Sequence, residues 1–180
     1  VTTIQSDQPY VLPVPAEQAA NQWFDTNDSR VLGGYIHNGT IHFVQSCTDI
    51  NTGTSAIYYG LIDEPSGNPT VTTRIYSEPN VYYGFPNISW SGLSENDEQS
   101  IISFNHSGET DFAGFSAIHV NSQLEASNRI EIKTGFALVN VLSDTLERWG
   151  DYSGSQRLYD EPGTVWAVGS FGNANNGHGT

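Results

Sequence analysis

The stretch Val31-Leu32-Gly33-Gly34-Tyr35-Ile36-His37-Asn38-Gly39-Thr40-Ile41-His42-Phe43-Val44-Gln45-Ser46-Cys47 decides the fold class. Residues 31–37 and 41–47 are short runs rich in β-branched and aromatic side chains, with Asn38-Gly39 between them. A two-residue hairpin turn needs positive φ at both central positions, and Asn followed by Gly tolerates that best. The two runs therefore predict an antiparallel hairpin. Cys47 closes the second run and is the only cysteine, so no intrachain disulfide can form and the thiol reads as a small buried hydrophobe.

Outward from the hairpin, residues 55–62 and 70–77 repeat the same composition. Between them lies Asp63-Glu64-Pro65-Ser66-Gly67-Asn68-Pro69, a segment dominated by turn-forming residues. Four such runs in succession predict one β-meander. The pattern returns in residues 85–90, 99–105, 115–120 and 129–134, and opens a third time in residues 149–156 and 164–170. Residues 1–24 contain Pro9, Pro13 and Pro15 and no sustained period, which predicts an extended lead-in crossing a surface, with one helical turn at most. Helix-forming runs of Ala, Leu, Glu and Lys are missing, so the fold class is all-β. Four-stranded units recurring every 50 to 60 residues or so predict a partial β-propeller over residues 25–180, with about three blades visible: 31–77, 85–134 and an incomplete 149–180. A β-sandwich is the alternative, and it would bring Greek-key crossovers.

Charge narrows the partners. Six basic residues against twenty acidic ones give a formal net charge of −14, which repels phosphate backbones and anionic membrane surfaces. Nucleic acid is therefore not an expected partner. No apolar run is long enough to span a bilayer, and no membrane insertion is expected. The chain holds no methionine and starts at Val1 without a charged or apolar leader, which predicts a processed product or a part of something longer.

Arg148-Trp149-Gly150-Asp151-Tyr152-Ser153-Gly154, followed by Pro162-Gly163-Thr164-Val165-Trp166 and Gly169-Ser170-Phe171-Gly172, resembles the last blades of secreted, distantly sialidase-like bacterial β-propellers of the Bacteroidota type. Asp25-Thr26-Asn27-Asp28-Ser29-Arg30 with Asn38-Gly39-Thr40-Ile41-His42 resembles that family's blade opening, and Phe85-Pro86-Asn87-Ile88 with Phe104-Asn105-His106-Ser107-Gly108 resembles the next. The resemblance covers most of residues 25–180. It implies an extracellular or cell-surface protein, often cargo of the type IX secretion route, whose remaining blades lie in the same parent protein or another chain. Partners implied are a glycan or surface protein and the secretion machinery. Within the WGDYSG element, Gly150, Ser153 and Gly154 suit an inner strand where blades crowd, Trp149 and Tyr152 suit a wedge between blades, and Asp151 suits an acceptor for backbone N–H groups near the ring axis.

Catalysis of the sialidase type needs an arginine cluster, a tyrosine beside a glutamate, and an acid/base aspartate. Arg30, Arg74, Arg129, Arg148 and Arg157 are scattered, and the Ser-x-Asp-x-Gly-x-x-Trp box is absent, so no catalytic residue is assigned. The alternative is a fragment of such a hydrolase whose catalytic residues lie in other blades. The leading expectation is a non-catalytic binding or display module. Its candidate ligand-binding residues are Tyr58, Tyr83, Trp90, Asp151 and Tyr152, because flat rings stack on sugars at small entropic cost. No cofactor is expected. Should a cation bind, Asp49-x-Asn51-x-Gly53 offers calcium-type oxygen ligands from Asp49 and Asn51, against an Asx-turn as the plain reading. His37 and His42 flank the hairpin and would start a zinc site only if they converged.

Overall fold

The computed structural model describes residues 3–63, 69–142, 145–151 and 153–180, so most of the turn expected at residues 63–69 lies outside the described residues. Among the described residues every regular element is a strand, apart from a 3₁₀ turn at Ala19–Asn21. The lead-in first supplies β1 (Ala16–Gln18) and β2 (Gln22–Asp25), an antiparallel pair that three- and four-residue strands make invisible to periodicity. The expected hairpin follows as β3 (Val31–His37) and β4 (Thr40–Thr48), joined through Asn38 at φ 49° and Gly39 at φ 83°. β5 (Ser55–Asp63) and β6 (Thr70–Tyr76) complete a sheet whose strands lie in chain order.

The second meander is β7 (Val81–Trp90), β8 (Ser100–Gly108), β9 (Gly114–Val120) and β10 (Ile130–Lys133), again in chain order. β7 starts four residues earlier than the run at 85–90. Gly84 pairs with Asn105 and Asn87 with Ser103, so Phe85 and Pro86 together oppose Phe104. This is a β-bulge on an edge strand, where proline is tolerated. Phe85 takes φ 52°, a left-handed value that a bulky side chain adopts only under tertiary constraint.

The two meanders face one another across a shared core. Val44, Ile57 and Tyr59 of the first sheet pack with Val81, Tyr83, Ile88, Ile102, Phe104, Ile118 and Val120 of the second. The opposite face of β4 and β5 carries Cys47, Ala56 and Tyr58. The lead-in covers it: Thr48 N–H donates to Val11 O at 3.0 Å, Tyr58 OH donates to Gln8 O at 2.8 Å, and Tyr10 meets the Tyr58 ring edge-on at 5.6 Å. Cys47 is buried as expected, and burial pushes its thiol up to about 12.

The remainder departs from the third meander. β11 (Leu146–Arg148) runs parallel to β2, β12 (Gly154–Arg157) pairs with β13 (Val165–Val168), and β14 (Phe171–Gly172) pairs with β15 (His178–Gly179). No sheet closes on itself among the described residues. The strand expected at 149–156 begins only at Gly154. Gly150 at φ 59° turns the chain, and Trp149 drops into a second core with Ala16, Phe24, Phe85, Ala113 and Val139. Its indole stacks on Phe24 at 4.9 Å and meets Phe85 edge-on at 6.4 Å. A Cβ on Gly84 would sit 2.7 Å from that indole, which is why glycine stands there.

Truncating a fully buried, stacked indole removes its transfer free energy and leaves a cavity, so Trp149→Ala is expected to cost about 3–5 kcal/mol in urea unfolding. A loss below about 1 kcal/mol would show that this core is incidental.

Candidate functional site

The residues singled out in the sequence separate sharply once placed. Tyr58 is 2 % exposed and Tyr83 is 3 % exposed, so neither presents a ring to a ligand. Both faces of their strands are covered, and alternation therefore gave no outward side for them to occupy. Trp90 is half-buried and lines a cleft. Asp151 pairs with the Arg148 guanidinium. With Arg30, Arg148 and Ser153 it lines a separate depression of about 430 Å³. Tyr152 lies outside the described residues.

The Asp49 turn spends its oxygens internally. Asp49 Oδ1 accepts from Asn51 N–H at 2.9 Å and from Asn51 Nδ2 at 3.0 Å, and Oδ2 accepts from the Ser77 hydroxyl at 2.5 Å. Partial burial works to raise its pKa, but these donors outweigh it and hold the carboxyl below its usual range. The geometry is an Asx-turn. His42 is held by Tyr59 OH and stacks on Tyr35 at 4.4 Å, while His37 stacks on Trp90. Among the described residues no three His, Cys, Asp or Glu side chains converge in a way that could hold a metal.

Two polar clusters that sequence spacing did not expose have the residue types of catalytic sites. Tyr83 OH donates to Glu78 Oε2 at 2.9 Å, and Arg129 Nε donates to the same oxygen at 2.8 Å. Burial and the Glu78 charge push the Tyr83 phenol up, whereas a phenolate nucleophile needs the reverse. Nearby, the Ser116 hydroxyl lies 2.8 Å from His106 Nδ1, and His106 Nε2 lies 3.4 Å from Glu131 Oε2. The order hydroxyl, imidazole, carboxylate is that of an acyl-transfer relay. Ser116 has no exposed surface and His106 almost none, so no substrate can reach the hydroxyl. Arg129 also sits 3.4 Å from Asp111 and 3.6 Å from Glu131, and these ion pairs tie β10 to the start of β7. Both clusters are structural.

The accessible geometry lies around β12. Its inner face meets β7 through Ser155, whose hydroxyl is 2.8 Å from that of Ser89 and donates to Asn87 Oδ1 at 2.9 Å. Beside this contact a cleft of about 360 Å³ opens between β3, β7 and β12. Trp90 forms one wall, with the His37 ring 3.9 Å away and the Arg157 guanidinium 3.7 Å above the indole. Trp90 Nε1 donates to Asp97 O at 2.7 Å, which fixes the ring. On β13, Trp166 is 69 % exposed and Val168 is 57 % exposed. They share a face of the ribbon with Gln156 and Gly154, their cross-strand partners. The signal for Trp166 was the run Val165-Trp166-Ala167-Val168, but a short apolar run does not reveal that its ribbon is left uncovered.

No family model, curated protein or solved structure matches the chain.

Electrostatics of the buried imidazoles generate a measurable expectation. Burial lowers His42 to about 4, helped by the His37 charge. Burial also lowers His106 to about 4, helped by Arg129, and this outweighs the upward pull of Glu131, Asp111 and Glu78. In the unfolded chain both histidines titrate near 6.5, so the unfolded state binds more protons between about pH 6.5 and pH 4. Stability is whole above that window and falls as pH drops through it, by up to about 3 kcal/mol per site. Urea midpoints measured from pH 7 to pH 4 are expected to decline, and a flat profile would refute the depressed values.

Proposed function

We propose that the chain is a segment of a β-propeller that serves outside a bacterial cell as a non-catalytic binding or display module for a glycan or protein partner. The chain-order sheets support the propeller over the sandwich. Both four-stranded sheets are pure meanders, with no strand exchanged between them as a Greek key would require. Their facing cores suit neighbouring blades, and the missing blades come from the same parent protein or another chain. Secretion as type IX cargo accords with the WGDYSG resemblance.

The observation that carries the binding role is the uncovered β12–β13 ribbon. Adjoining exposed apolar side chains mark binding surfaces better than scattered ones do, and indoles are enriched where partners bind. Here Trp166 and Val168 stand on a ribbon face beside Gly154 and Gln156, with no charged side chain lining the shallow depression they form. Catalysis has no comparable support: Arg30, Arg129 and Arg148 are each committed to carboxylates, and Tyr83 and the serine–histidine pair are buried.

A glycan array and a pull-down against bacterial surface extracts are expected to yield a retained partner. Trp166→Ala, at an exposed position, is expected to weaken retention about tenfold, roughly 1.4 kcal/mol, with an unchanged melting temperature. Turnover of a glycoside substrate at an ordinary enzymatic rate would replace this reading with a hydrolase.

A further inference from the structure

We infer that the cleft between β3, β7 and β12 binds a saccharide unit bearing one anionic group, which Arg157 receives; this deepens the binding-module reading and rests on it. The charge distribution is the starting point. Twenty acidic residues face six basic ones in the chain, yet no Asp or Glu lines this cleft, whereas Arg157 does. It is a positive island in a negative molecule. The surrounding charge repels extended polyanions, and the cleft, near the lower end of small-molecule site volumes, suits a small ligand with a single negative group.

Arg157 is prepared for that role. Arg30, Arg129 and Arg148 sit in ion pairs, but Arg157 has no carboxylate within ion-pair distance among the described residues. Its plane is held over Trp90, and Nη1 donates to Gly92 O at 3.1 Å. A guanidinium already stacked and oriented loses little rotamer freedom on meeting a carboxylate or sulfate, whose oxygens match its fork.

The rim adds a surface on which a sugar ring can stack. Tyr159 is 76 % exposed and has no ring partner among the described residues, so its face is open for stacking.

Calorimetric titration of the full chain with methyl glucuronide, methyl glucoside 6-sulfate and methyl glucoside tests this, the first two arms separating carboxylate from sulfate. At least one anionic sugar is expected to bind about tenfold more tightly than the neutral one, and Arg157→Gln is expected to abolish that preference. Tyr159→Ala, at a surface site that does not threaten the fold, is expected to weaken the anionic sugar several-fold. Equal affinity for all three sugars, no binding by any, or a preference that survives Arg157→Gln overturns the inference. Capture of a partner through Trp166 would still stand in that event, whereas loss of Trp166-dependent capture with an intact Arg157 effect would remove the observation on which the broader reading was built.

Discussion

Everything in this molecule turns on the bulge in β7. Before it, Val81 and Tyr83 face the first sheet; after it, Ile88 does. A strand with strict two-residue alternation cannot put residues 83 and 88 on one face, and the extra residue at 85–86 shifts the phase. The same shift sends Phe85 to the other side, against Trp149. One strand thereby serves two cores. A left-handed Phe85 costs on the order of 1–3 kcal/mol, and burial of its ring beside Trp149, with the Ser153 hydroxyl donating to its carbonyl, offsets that strain.

The functional surface inherits its shape from this bend. Beyond the bulge, Trp90 turns toward His37 of β3, while Asn87 and Ser89 reach Ser155 of β12. The cleft is the space left where those three strands approach without forming a common sheet. Inside the molecule certain polar side chains tie distant segments together. Gln18, for example, donates to the Val139 carbonyl at 2.8 Å and accepts from its N–H at 2.9 Å, like one more residue in a ladder. Asn105 donates to the Trp149 carbonyl at 3.0 Å and fixes the loop that buries the indole. Buried groups satisfied in this way rigidify a scaffold and leave recognition to the surface.

Much of the fold was legible because hairpin chemistry is local. Asn38-Gly39 announces its own turn, and the eight strands of the two meanders carry the composition of half-buried pleats. What stayed hidden was set by distant contacts. The first half of β7 was lost because Gly84-Phe85-Pro86 looks like punctuation, although glycine is there to admit Trp149 and proline is tolerated at the bulge. β1 and β2 are too short to show a period, and Trp149 reads as a strand residue until its loop is seen. The same reason governs the site. Tyr58 and Tyr83 look like surface rings, but burial depends on what covers their face of the strand, and the lead-in over Tyr58 and the first sheet against Tyr83 decide that. Trp90 was visible as a candidate; its partner Arg157, 67 positions away, was not.

Native-state amide hydrogen exchange tests the central claim most directly, because it measures whether the two meanders open together. If the shared core and the bulged strand bind them into one unit, amides of β4, β5, β7 and β8 will exchange with a single opening free energy equal to global stability, while β12–β13 opens at lower cost. Two distinct opening free energies, one for each four-stranded sheet, would mean that the sheets are independently stable and that β7 does not hold them together.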